Sequence, residues 1–366
     1  SARQAAAYAR IRRKLWLLDL GISIGLFAFL LFSGLAQQLA QWVSSGIRPW
    51  PLQVALTIGL LALAAAAVTF PLDWLRGFRL EHRFGLSTQS FTEWLKDYGK
   101  GLAVAAILGL IVLESFSLLL RMSPQGWWAW AAVLWMLWSV GLTRVAPQWL
   151  IPIFYRQRPL EELGLRQRLE KLLEKCRTPV RGIFEINLSR TTRKANACLC
   201  GLGSSRRVLL SDTLLSGYPT DEVEVVLAHE VGHHRLRHIG ILIVGNALAV
   251  GLSCFLVEWV VRRSMAPLGL RGLEDPATLL LIGWGLTVAQ LGLLPVTNGL
   301  SRLLEAQADR FALQATRNPR AFAAAMRRLA EQNLAEISPP RWVEWLLYDH
   351  PAIARRIAMA KAYRPE

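Results

Sequence analysis

Cysteine is scarce in this chain, with four in 366 residues. Cys176, Cys198, Cys200 and Cys254 form no spaced framework, which excludes a disulfide-stapled secreted fold. Cys198 and Cys200 are one residue apart and would face one side of a strand. Without a second pair they make a poor metal site, and reduced thiols are expected. Charge is scarce as well: 19% of residues are charged, 53% are hydrophobic and the mean hydropathy is +0.31, too apolar for an ordinary soluble domain. Acids are fewer still, 26 against 42 Lys and Arg, for a net charge of +16. No internal repeat, low-complexity linker or cleavable signal peptide is visible. The chain starts at Ser1 without Met, so an upstream segment, such as a further span, is expected to have been removed.

Long apolar runs are what the sequence has in excess. Six candidates cover approximately Leu15–Leu35, Leu52–Pro71, Gly101–Leu120, Trp127–Val145, Ile239–Val261 and Ala277–Val296. Each is near the roughly 20 residues that cross a bilayer core. A buried core helix explains one such run, not six. Basic residues flank the runs and form no single stripe, which argues against a nucleic-acid partner. Arg3, Arg10, Arg12, Arg13 and Lys14 precede the first run, and Arg76, Arg79, Arg83, Lys96 and Lys100 separate the second from the third. The positive-inside rule then places the N-terminus and the long polar stretch Tyr155–His238 in the cytoplasm, with Arg262, Arg263 and Arg271 against the trend. Four parts are expected: 1–154 with four spans, 155–238, 239–299 with two spans, and 300–366. Polar residues inside the runs (Asp19, Glu114, Asn246, Glu258, Gln290) are expected to face a bundle interior or water.

The chemistry concentrates at His229-Glu230-Val231-Gly232-His233. On a helix, residues four apart share a face, so both histidines can hold one metal ion, with Glu230 placed to act on water beside it. Imidazole ligands and an open position suit catalytic zinc, one ion per chain. Pro219 and Thr220 mark a helix start, with Asp221 and Glu222 in the first turn where the dipole favours acids. A third ligand is needed. His234 and His238 read as polar helix-end residues, and Glu274 and Asp275 fall on the opposite side of the membrane. Two spans separate His233 from Glu305, so those two share a side. Glu305 reads equally as a ligand or as a solvated acid paired with Arg302 or Arg310. Asp309, four residues on, shares its face and could accept the spare N–H of a ligand histidine. Ile183–Leu188 alternates as a strand, and Ala197–Cys200 and Arg207–Leu210 bracket a hairpin-like turn. Such a sheet could pair an extended peptide by strand addition.

Further blocks extend this pattern. They are Phe78–Ser87, Asn196-Ala197, Gly201-Leu202-Gly203, Arg207–Leu215, Glu305-Ala306-Gln307-Ala308-Asp309, and His350-Pro351 with Arg356. In this order they resemble the integral-membrane zinc metalloproteases of the sterile-24 CAAX prenyl protease family, in the M48 group. The resemblance implies a mainly α, polytopic membrane bundle around a water-filled chamber, closed by a zincin-like domain with a small β-sheet. It implies His229, His233 and Glu305 as zinc ligands and Glu230 as the base. It also implies Asn196 and Ala197 on the substrate strand, His350 and Arg356 beside the zinc, and His350 as an oxyanion stabiliser. Peptide or protein substrates, prenylated ones included, and membrane lipid are the implied partners. The chain departs from the family in Cys198-Leu199-Cys200 after Asn-Ala, and in six spans where eukaryotic members have seven.

Three other protein classes share parts of this pattern. Four spans before the zinc helix and the Phe78–Ser87 block argue against a heat-shock-type quality-control metalloprotease. Asp221, Glu222 and Glu224 before that helix, with Arg235 and Arg237 after it, argue against an intramembrane site-2-type protease. A non-enzymatic transporter or scaffold would leave the motif and a correctly sided glutamate without a purpose.

Overall fold

The computed structural model describes residues 2–364. Residues 2–156 are mainly helical: α1 (Ala2–Phe32), α2 (Leu35–Gly46), α3 (Trp50–Trp74), α4 (Leu80–Arg83), α5 (Phe91–Met122), α6 (Trp127–Trp149) and α7 (Ile151–Phe154). A wider turn over Leu75–Arg79 joins α3 to α4, so the second membrane helix continues past Pro71 to Arg83. The polar part adds β1 (Gln157–Pro159), α8 (Leu163–Lys175), β2 (Ile183–Ile186), β3 (Ala197–Cys200), β4 (Arg207–Ser211), α9 (Asp212–Gly217) and α10 (Thr220–Arg235). Then come α11 (His238–Ser264), α12 (Pro276–Thr316), α13 (Pro319–Gln332), α14 (Arg341–Leu347) and α15 (Ile353–Ala362).

Among the described residues, six helices, with α3–α4 and α6–α7 each counted as one, are long and apolar enough to cross a membrane. Only 6% of the central stretches of α1, α5 and α6 is buried, and 22% of those of α11 and α12. Much of their surface therefore faces away from protein, while α11 packs closely on its neighbours: a Cβ on Gly251 would lie 3.1 Å from Ala132 Cβ of α6, and one on Gly285 of α12 would lie 3.0 Å from Val257 Cγ2. Phe29, Leu63, Ile107, Leu137 and Leu248 are more than half exposed, as lipid-facing side chains must be. Two of the polar groups within the helices find partners at the ends of the bundle, whereas Glu114 Oε1 is buried without a hydrogen bond from the described residues. Asp19 meets Arg76 at 3.2 Å, and Glu258 pairs with both Trp127 and Arg262. The expected mainly α membrane bundle with a small sheet is what the chain forms.

The polar part has its own core, in which Leu169, Val208, Leu210, Leu214, Leu227, Val231, Leu313 and Phe322 are buried together. Its sheet runs in the order β1-β2-β4-β3. β2 and β4 are parallel, and both outer strands are antiparallel to their neighbours. The hairpin joining β3 to β4 turns at Gly201, whose φ is +93° and whose missing Cβ would lie 2.5 Å from the Ser205 carbonyl oxygen. Only glycine fits there. This sheet leaves β3 as an edge strand.

One feature of α12 determines where the chemistry can sit. Its 41 residues form a continuous helix of about 60 Å, twice the thickness of a bilayer core. The apolar half crosses, and the other half runs on into the polar part. The apolar run ends near Val296, but the helix continues without a break to Thr316. Gly232 of α10 lets the helices meet: a Cβ there would be 3.2 Å from Ala308 Cα and 3.3 Å from its carbonyl oxygen. That close approach brings the 305–309 stretch beside the histidines of α10.

Candidate metal centre

Three side chains converge where α10 crosses α12. His229 Nε2 and His233 Nε2 are 3.2 Å apart. Glu305 spans both, with Oε2 3.2 Å from His229 Nε2 and Oε1 3.2 Å from His233 Nε2. A tetrahedral ion about 2.0–2.1 Å from each ligand sets neighbouring ligand atoms about 3.3 Å apart. The separation of the two histidine nitrogens fits such an ion, and one ligand atom from each of the three residues lies within 4.8 Å of the others. Glu305 is 7% exposed, and its buried Oε2 accepts no hydrogen bond from the described residues. A buried carboxylate oxygen left so is costly, and a cation answers it.

The nitrogens facing away from this point are also engaged. His229 Nδ1 lies 2.8 Å from Asp309 Oδ1, so its N–H goes to Asp309 and the Nε2 lone pair faces Glu305 and His233. Burial works against a charged His229, but the Asp309 and Glu305 carboxylates beside the ring outweigh it and push it up to about 9. Positive charge is favoured at this spot. Asp309 is fully buried and takes two further bonds from Arg356, Nε to Oδ2 at 2.8 Å and Nη2 to Oδ1 at 2.6 Å. Arg356 borders the cavity described below, and its guanidinium binds Asp309.

His238 is the residue that the sequence reading missed. It read as a polar helix end; it is fully buried against the metal group. Its Nδ1 is 3.1 Å from His233 Nδ1, and its Nε2 is 3.1 Å from Gln307 Oε1. With Gln307 accepting from His238, His238 accepts from His233, and the His233 Nε2 lone pair is free for a metal. The cause of the miss is Arg237, whose φ of +58° breaks α10 from α11 and turns His238 back. Spacing along one straight helix cannot show this.

A cavity of about 850 Å³ opens beside these groups, lined by Asn196, Ala197, His229, Glu230, His350 and Arg356 among others. The start of α1 forms part of its wall through Tyr8, Arg12 and Arg13. His350 stands over the metal group, with Nε2 3.3 Å from Glu305 Oε1 and Nδ1 2.8 Å from Asp349 Oδ1. The hydrogen bond with Asp349 raises His350 above the ordinary histidine range, despite partial burial. Asn196 sits at the entry to β3, and its backbone is bonded to Ser211: its N–H donates to Oγ at 2.9 Å and its carbonyl accepts from Ser211 N–H at 3.0 Å. Asn333 clamps the residue before it, accepting from Ala195 N–H at 2.9 Å and donating to the Ala195 carbonyl at 3.1 Å. Nothing in the local sequence marks Asn333, because its partner is 138 residues away.

Residues 159–364 match the family model described as peptidase family M48. The chain belongs to peptidase family M48. Residues 1–156 match a second model, described as CAAX prenyl protease N-terminal, five membrane helices; this stretch holds four of the six long apolar helices. An uncharacterized metalloprotease of Bacillus subtilis, YhfN, is 27% identical over 98% of this chain and 84% of its own length. A CAAX prenyl protease 1 homolog of Oryza sativa is 28% identical over 79% of this chain and 68% of its own. The crystal structure of S. mikatae Ste24p superposes with a TM-score of 0.87 at 24% identity, covering 99% of this chain and 89% of that one, which is a likeness of fold. This M48 chain is a multi-pass membrane metalloendopeptidase, and it acts on peptides or proteins.

Proposed function

We propose that this M48 peptidase is a zinc enzyme of CAAX type, with one ion per chain held by His229, His233 and Glu305. The observation that carries the reading is the meeting of both histidine Nε2 atoms with the Glu305 carboxylate, one carboxylate oxygen 3.2 Å from each ring, with Asp309 behind His229. Two imidazoles and a carboxylate suit zinc better than magnesium or calcium, which prefer oxygen ligands. The ion supplies Lewis acidity, polarising water and the peptide carbonyl. Glu230, one residue past His229 and on the cavity wall, takes the proton of the attacking water and passes it to the leaving amine. His350, held by Asp349, donates from Nε2 to the oxyanion. Asn196 and Ala197 receive the substrate as an extended strand along β3. Arg356 fixes Asp309 and borders the bound peptide.

The charge pattern of the loops supports a catalytic part on the cytoplasmic side. Division at 154, 238 and 299 follows the same reading: two membrane segments alternate with two protease segments, and the second protease segment carries Glu305. Prenylated C-terminal peptides are the proposed substrates, supported by the match of residues 1–156 and by the names of the relatives. Nucleic acid is not a proposed partner. Mass-spectrometric mapping of cleavage in paired prenylated and unprenylated C-terminal peptides tests this. Cleavage of the prenylated member at the bond after the modified cysteine, at least tenfold faster than of its partner and missing from the Glu230→Gln variant, is the expected result. Equal rates on both would remove the CAAX assignment and leave the peptidase.

His238 is the positioning residue of the His233 side. Its replacement by alanine frees His233 to take the wrong tautomer. His238→Ala is expected to weaken zinc affinity ten- to a hundredfold with the site otherwise intact. Competition with a chromogenic chelator measures it, and unchanged affinity would free His238 of that role.

A further inference from the structure

β3 is the outer strand of the sheet, so one row of its backbone groups faces away from β4. The register says which row. Ser211 N–H donates to the Asn196 carbonyl, and Cys198 and Cys200 lie opposite Leu209 and Arg207. Asn196, Cys198 and Cys200 therefore exchange hydrogen bonds with β4. In an antiparallel ladder the residues between them turn their N–H and C=O the other way. Ala197 and Leu199 thus offer the outward groups, two donors and two acceptors.

One of these four is already used. His234 Nε2 donates to the Leu199 carbonyl at 2.6 Å. His234 is four residues after Glu230 on α10 and shares its face. It bridges α10 and β3 about 6 Å along the helix from Glu230. At about 3.4 Å per residue, that is about two residues of extended peptide.

We propose that His234 is a specificity-determining residue that ends the substrate ladder at Leu199. It rests on the reading that the substrate pairs with β3. The donating ring stands where a paired peptide amide would have to stand. A peptide keeps both bonds at Ala197 and can accept from Leu199 N–H, but gains nothing from the Leu199 carbonyl. The substrate class this selects is a short extended segment. It leaves the strand, or ends, about two residues beyond the scissile bond on that side.

A backbone N-methyl scan tests the inference. The full-length, zinc-loaded protein is given one cleavable peptide carrying a single N-methyl group at each position in turn, and kcat/KM is read relative to the unmethylated peptide. In the wild-type protein, methylation of the amide that donates to Ala197 should lower kcat/KM about fivefold or more. Methylation two residues along, opposite Leu199, should be silent. In His234→Ala that second position should become sensitive, by about fivefold. His234→Gln, which keeps a donor at the same reach, should restore the silence. Each comparison is internal to one variant, so a general loss of activity does not obscure it. If His234→Ala does not fold, His234→Phe removes the donor while filling the space, and loss of its silence at the second position is then the expected sign. The same scan in wild type and His234→Ala, or sensitivity opposite Leu199 already in wild type, would overturn the role of His234 and leave strand pairing standing. Insensitivity at every position in every variant, with cleavage intact, would overturn strand pairing and the inference together.

Discussion

Glu230→Gln is expected to retain the metal and the fold while losing about a thousandfold or more of the peptidase rate, as removal of a general base does. A factor of a thousand corresponds to about 4 kcal/mol of transition-state stabilisation. The loss should fall on kcat with little change in KM, because glutamine keeps the size of the side chain and removes only its basicity. Glu230 lines the cavity next to His229, and neither His233 nor Glu305 depends on it for a hydrogen bond. Metal content should therefore stay at one ion per chain. Steady-state cleavage of a fluorogenic peptide, with elemental analysis of the same sample, checks both halves. Retained activity would remove Glu230 from the chemistry.

The second large effect is expected from Glu305→Ala. This change removes the only carboxylate that reaches both His229 and His233 among the described residues. Two histidines then remain, one short of the three protein ligands of a catalytic zinc. Zinc content should fall from one per chain to near zero at nanomolar free zinc, and the peptidase rate should fall to background. The fold should survive, because the deeper pair is untouched: Asp309 still takes two bonds from Arg356 and one from His229. Elemental analysis and far-UV circular dichroism separate metal loss from unfolding. Full zinc stoichiometry in a folded Glu305→Ala protein would take Glu305 out of the ligand set.

How legible each part was depended on the range of its cause. Six membrane helices followed from runs of apolar residues, because the bilayer demands length and hydropathy and both are local. Their ends were less legible. α1 starts at Ala2, and α3 continues through the wider turn and α4 to Arg83, since helix geometry continues past the apolar stretch wherever the backbone remains bonded. The convergence of Glu305 with the histidines could be argued from an even number of crossings. The contact itself needed Gly232, which lets α10 and α12 approach to within touching distance of backbone. His234 and His238 read as polar ends of a helix. One bonds a strand 35 residues earlier and the other bonds a ligand histidine, and neither partner is visible in a helical wheel.

The sequence by itself determined the membrane class, the helix that carries His229, Glu230 and His233, and the strands around Ala197. Each depends on a periodicity of two or 3.6 residues or on a long apolar run, and these act over one or two turns of chain. The tertiary structure decided which nitrogens face one another. It folded His238 back at Arg237, set Asp309 between His229 and Arg356, and closed the Leu199 carbonyl with His234. Hydrogen bonds act over about 3 Å and depend on direction. Their partners here come from helices and strands whose relative placement is set by packing, and packing is a property of the whole chain.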